Sequence, residues 1–94
     1  MPTEMYNPAH PGRVLQDYLE GMNITHVARH VHVSRVTLSK ILNCRAGISA
    51  EMSLRLSAAL GNHPSFWFEM QSNYDFAPAR RKKLPTIEPL PSAA

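Results

Sequence analysis

The sequence predicts an all-α protein of five short helices, and three observations carry that prediction. Apolar residues recur along successive segments at the spacing of a single helix face. The segments are bounded by residues suited to helix ends: Asn23, Ser34 and Ser49 at starts, Gly21 and Gly61 at stops. No stretch shows the period-two alternation of a half-buried strand.

Residues 1–10 carry two prolines and no periodicity, and read as a flexible lead-in to a domain spanning 11–77. Pro11 suits the first helical position, where its missing N–H is not needed, and Val14, Leu15, Tyr18, Leu19 and Met22 form one apolar stripe. Gly21 stops that helix. Asn23 caps a second, with Val27, Ala28 and Val31 turned inward. Ser34 caps a third, 35–42, burying Leu38, Ile41 and Leu42. Ser49 begins a fourth, with Glu51 at the positive end of its dipole and Met52, Leu56, Ala59 and Leu60 as its stripe. A fifth is expected from Ser65 to about Phe76, with Trp67, Met70 and Tyr74 on one side and Pro78 as its breaker. Residues 78–94 then form a basic, proline-rich tail expected to be extended or disordered.

Size and composition narrow the function. A chain of 94 residues with 44% apolar content supports one core, too small for a barrel enzyme or a full dinucleotide-binding fold. No apolar run approaches the ~20 residues of a membrane span. The single cysteine, Cys44, rules out an internal disulfide and suits a reducing cytoplasm, where the protein is expected. The net charge of +3 arises wholly in 80–94, because cations and acids balance over 1–79. Within that neutral body, 21–50 holds Arg29, Arg35, Lys40, Arg45 and three histidines but no acid. A one-sign segment of this kind suits a polyanion.

The helices at 24–31 and 35–42 are joined too tightly for a long hairpin and suit a helix-turn-helix over 24–42. Removing the buried positions of 35–42 leaves Arg35, Val36, Ser39, Lys40 and Asn43 facing solvent. These are groups a major groove can use: cations for guanine O6 and N7, an aliphatic for a thymine methyl, hydroxyl and amide for bases or phosphates. Arg35, Val36, Ser39 and Lys40 are the candidate base readers, with Arg35 and Val36 deepest at the helix N-terminus. Asn23, Ser34, Thr37, Asn43 and Arg45, at helix ends and flanks, are the candidate phosphate contacts.

The run NITHVARHVHVSRVTLSKILNCRAGIS resembles the helix-turn-helix of the phage-repressor-like XRE family. HPGRVL before it and EMSLRLSAALGNHPSFWFEMQSNYDF after it narrow the likeness to antitoxins of the HigA/VapI branch, over about 10–77. The resemblance implies a five-helix, phage-repressor-like domain that forms a homodimer on a near-palindromic operator in its own promoter. It also implies an antitoxin of a type II toxin-antitoxin system that neutralises a RelE-like ribonuclease toxin. A stand-alone XRE regulator without a toxin, and a protein-interaction module with vestigial DNA contact, are the competing readings. The family often has glycine in the helix-turn-helix turn and just after the recognition helix. Here those places hold His32 and Cys44, so both turns are expected to be strained or reshaped.

Other constellations read more plainly. His26 and His30 have the i, i+4 spacing of a metal pair, but Val27 stands where a metalloprotease needs glutamate. They are taken as polar residues beside a phosphate-facing surface, with no metal and no cofactor. No catalytic arrangement is present, and the chain is read as a non-enzyme. Phe66 and Phe68 cannot both point inward, which makes them candidate dimer or partner contacts. The RRKK cluster at 80–83 reads equally as a DNA-contacting arm or a dipole-stabilised helix end.

Overall fold

A computed structural model describes residues 7–91. The helices are α1 (Pro11–Tyr18), α2 (Ile24–His30), α3 (Arg35–Leu42), α4 (Ala50–Leu60) and α5 (Phe66–Arg81), and the described residues contain no strand. Most of the proposed lead-in, 1–6, and the last three residues of the proposed tail, 92–94, lie outside the described residues.

The local end signals work as their chemistry requires. Asn23 Oδ1 accepts from the His26 amide at 3.0 Å, Ser34 Oγ from Thr37 at 3.0 Å and Ser49 Oγ from Met52 at 3.1 Å. The start of α1 uses a residue outside that usual set. His10 Nδ1 accepts from the Gly12 amide at 2.9 Å, directly ahead of Pro11. Buried Ser53 of α4 serves α5: its hydroxyl donates to the Pro64 carbonyl at 2.8 Å and accepts from the Phe68 amide at 3.1 Å.

His32 and Cys44 sit at φ 62° and 59°, the left-handed region that favours glycine. Each closes a helix with two carbonyl-satisfying bonds. Val33 N donates to Ala28 O at 3.0 Å and His32 N to Arg29 O at 3.2 Å. Arg45 N donates to Lys40 O at 2.8 Å and Cys44 N to Ile41 O at 3.0 Å. The expected strain at both turns is therefore present, and the turns keep the glycine conformation without glycine.

α3 packs on α1 and α2, and α5 packs on α1 and α4. The core between them is Leu15, Leu19, Ala28, Leu38, Ile41, Leu42, Ile48, Met52, Leu56 and Trp67. Gly12 lets α1 meet α3 directly, since a Cβ there would lie 1.9 Å from the Ile41 carbonyl oxygen.

Four residues of the predicted stripes do not belong to this core: Tyr18, Met22, Ala59 and Tyr74 are exposed. A stripe read at fixed spacing is wider than the strip a neighbouring helix covers, and α1 ends at Tyr18, before Met22. The fifth helix also runs past its expected end at Phe76 and through Pro78 to Arg81. Proline costs the Tyr74 carbonyl its partner. Against that, Ala77 is buried, Arg80 lies 5.2 Å from the Phe76 ring centroid, and Arg81 donates to Asn7 Oδ1 at 3.0 Å. Both arginines occupy the last turn, where the helix dipole favours cations. Beyond Lys82 the chain is exposed and carries no helix or strand as far as residue 91.

Candidate nucleic-acid interface

Burial of Leu38, Ile41 and Leu42 fixes how α3 is rotated. Its remaining side faces solvent, with Val36 65% exposed although it is aliphatic. Arg35, Val36, Ser39, Lys40, Asn43 and Arg45 together line one open depression of about 220 Å³. All four candidate base readers and two of the candidate phosphate contacts are thus brought together. No acidic side chain lines it, and Arg35, Lys40 and Arg45 have no acidic partner among the described residues.

Several of these side chains are already oriented. Asn43 Nδ2 donates to the Ser39 carbonyl at 2.9 Å and to Ser39 Oγ at 3.3 Å, which holds the amide over the last turn of α3. Arg45 follows the left-handed Cys44, so the reversal of chain direction there returns it to the rim. Ser34 and Thr37 stand at the N-terminus of α3, linked by a 2.8 Å hydroxyl bond, while Asn23 is at the N-terminus of α2. These three lie outside the depression.

Residues absent from the sequence reading hold α3 and its turns in place. Gln16 of α1 donates to the Leu42 carbonyl at the end of α3. Arg55 of α4 reaches the Val31 carbonyl at 3.0 Å and the His32 carbonyl at 3.4 Å, with Glu51 pairing it from behind at 2.9 Å. Buried Gln71 of α5 accepts from the Ile48 amide at 2.9 Å and donates to Asp75 at 3.0 Å, anchoring the loop after Arg45. No local spacing signals the bonds of Gln16, Arg55 and Gln71 to the backbone, because each joins residues more than twenty positions apart.

Phe66 and Phe68 are placed apart. Phe66 packs against the core, its ring 5.0 Å from Trp67 and 6.4 Å from Tyr18. Phe68 is exposed and joins Ala50, Ser53, Leu54, Pro64 and Ser65 around an apolar depression of about 190 Å³. The His26 and His30 rings stack at 6.5 Å on the exposed side of α2. Among the described residues, no group of three potential ligands is placed to hold a metal, and no helix is long and apolar enough to cross a membrane.

The tight α2–α3 pair and the acid-free outer side of α3 define a helix-turn-helix protein of the repressor kind. No protein-family model matches the chain. It is 43% identical over 79 residues to virulence-associated protein A′ of Dichelobacter nodosus, covering 81% of this chain and 69% of that one. It is 35% identical over 78 residues to antitoxin HigA-1 of Vibrio cholerae, covering 80% and 73%. The Pseudomonas aeruginosa antitoxin HigA, solved with the higBA promoter, superposes with a TM-score of 0.72 at 34% identity, over 78% of this chain and 83% of that chain. The chain belongs to this family of HigA and virulence-associated helix-turn-helix antitoxins and regulators. Its relatives are antitoxins and transcription regulators, not enzymes.

Proposed function

We propose that the protein is a homodimeric, DNA-binding antitoxin that represses its own promoter and neutralises a RelE-like ribonuclease toxin. The observation that carries the DNA half is the single depression on α3, where three cations, two polar side chains and Val36 meet without an acid. Family membership adds that the P. aeruginosa relative was solved with a promoter. In this reading Arg35 and Val36, in the first turn of α3, meet base edges, and Ser39 and Lys40 read the adjoining positions. Asn43 and Arg45 hold phosphates at one end, and Ser34, Thr37 and Asn23 do so at helix N-termini.

Two copies place their α3 helices about one helical turn (~34 Å) apart on a near-palindromic site. A two-fold interface sets each surface against itself, so an uncharged apolar patch suits it. Leu54 and Phe68, with 57% and 44% of their surface exposed, supply such a patch. Phe68 is therefore the dimer contact in this reading, and Phe66 supports the neighbouring surface.

Fluorescence anisotropy on a duplex from the protein's own upstream region tests the DNA half. Arg35→Ala should weaken binding about 5- to 150-fold and relax selectivity at one position. Asn43→Ala and Arg45→Ala should weaken operator and scrambled duplexes alike. An Arg35→Ala protein with an unchanged affinity and footprint would refute the base-reading assignment. Purification from the native locus tests the toxin half. A stoichiometric small partner whose expression alone stops growth supports it, and a clean dimer that binds its promoter leaves a stand-alone regulator.

A further inference from the structure

The run of cations at the end of α5 divides into two pairs. Arg80 and Arg81 occupy the last turn, Arg80 at 5.2 Å from the Phe76 ring centroid and Arg81 donating to Asn7 Oδ1 at 3.0 Å. The negative end of the helix dipole and these contacts account for the arginines. Lys82 and Lys83 stand past the helix. Lys82 is the C-cap, with extended backbone at φ −75° and ψ 135°, and both lysines are exposed. The dipole falls off within the last turn, so it does not explain Lys83. The nearest acids in sequence are Asp75, bonded to Gln71, and Glu88, and neither lysine forms an ion pair among the described residues. Cations and acids balance over 1–79, so this run supplies the excess charge of the whole chain.

Packing sets where that charge lies. Gln71 accepts from the Ile48 amide at 2.9 Å, which fixes α5 beside the loop that follows Arg45. Further along α5, the Tyr74 ring meets His10 edge-on at 4.9 Å. His10 caps α1 where Gly12 abuts the Ile41 carbonyl, in the last turn of α3. The second half of α5 therefore passes the Asn43–Arg45 end of the α3 depression and not its Arg35 end. Helix rise from Gln71 and the short loop put Lys82 within roughly 30 Å of Arg45, less than the ~34 Å of one duplex turn. A second copy does not fit the lysines, because two-fold symmetry sets the same cations against one another. An acidic protein gives no reason for the run to lie at this end of α3. A polyanion does, because a backbone that fills the acid-free depression continues past Arg45. We infer that Lys82 and Lys83 form an arm that holds backbone phosphates of duplex DNA just outside the half-site met by α3. This rests on the DNA-binding reading above and adds contacts from outside the helix-turn-helix. Residues 82–91 carry no helix or strand, so the arm follows the backbone without selecting bases.

The test measures the anisotropy of labelled duplexes with the full-length chain across a salt series. One duplex carries both half-sites with about ten flanking base pairs at each end, and the other is trimmed to the half-sites. With Lys82→Gln and Lys83→Gln together, the slope of log affinity against log salt on the long duplex should shrink by about 1.8 per subunit. Affinity at about 100 mM salt should fall at least about 10-fold, equally for operator and scrambled duplexes of that length. On the trimmed duplex the variant and wild type should agree. Lys82→Arg with Lys83→Arg should restore the slope, and the thermal midpoints of all three proteins should match. A slope unchanged by the glutamine pair overturns the arm and leaves the α3 reading intact. Equal loss on both duplexes, or a lowered midpoint that the arginine pair does not restore, also overturns it. Lysine-dependent sedimentation with phosphatidylserine vesicles beside an unchanged slope assigns the run to an anionic membrane instead. A wild-type chain that binds neither duplex at low salt removes the DNA-binding reading and the arm with it.

Discussion

Replacing Gly12 with alanine tests the packing of α1 on α3, because local and tertiary effects carry opposite signs there. In an isolated helix the change is favourable by about 1 kcal/mol. In this fold the new Cβ would stand 1.9 Å from the Ile41 carbonyl oxygen and 3.0 Å from its carbon and from His10 Nδ1. The oxygen belongs to backbone, so no side-chain rotation relieves the clash. α1 must withdraw from α3 by roughly 1 Å, a gap that forfeits a quarter to a half of the dispersion contact across it. Leu15, Leu38 and Ile41 are fully or almost fully buried around this approach, and Gln16 and His10 bond across or beside it. Overpacking costs about 1–3 kcal/mol, and a weakened cap and hydrogen bond add about 1 kcal/mol each. After the helix-propensity gain, the net loss is about 2–4 kcal/mol, or a fall of roughly 10–30 °C in thermal midpoint. Circular dichroism melts and urea titrations read this directly. A Gly12→Ala protein as stable as wild type, or more so, would refute the close approach of the two backbones.

Two further predictions concern turn strain and pH. His32→Gly and Cys44→Gly should each stabilise the fold by about 0.5–1 kcal/mol, since relief of the left-handed conformation outweighs the added freedom of the unfolded chain. Additive gains in thermal melts would support this, whereas a lower midpoint for either variant would mean its side chain does more than occupy the turn. His10 has its pKa held below 6.5 by burial, with the Asp75 carboxylate pulling partly the other way. Its Nδ1 must stay unprotonated to accept from Gly12. The unfolded chain therefore takes up the proton first as pH falls, so this stability is complete above about pH 6.5 and declines below it. The urea midpoint of wild type should drop between pH 7.5 and 5 more than that of His10→Asn, which keeps a cap acceptor without the titration. Parallel pH profiles would rule out His10 as the source.

Much of the candidate site was legible because its signals are local. Ser34 caps α3, the spacing of Leu38, Ile41 and Leu42 fixes which side is buried, and Arg35, Val36, Ser39, Lys40 and Asn43 are what remains. The family likeness marked His32 and Cys44 as residues in glycine positions, and their backbone lies in the left-handed region. The helix stop at Pro78 was a local rule that tertiary contacts overrode, through buried Ala77 and the arginines of the last turn. Tyr18 and Met22 look like core in a stripe and stand in water in the fold, because a stripe does not reveal how much of it a neighbour covers.

The sequence by itself determined the number and order of the helices, the caps of α2, α3 and α4, and the composition of the α3 face. Those depend on residues within about one turn of each other, where dihedral preference and hydrogen-bond reach decide the outcome. Tertiary structure alone decided that Gly12 admits the Ile41 carbonyl, that Arg55 and Gln71 brace the two loops beside α3, and that Tyr18 stands edge-on to Trp67. These contacts join elements distant in the chain, and their partners are set by which helices the shared core brings together.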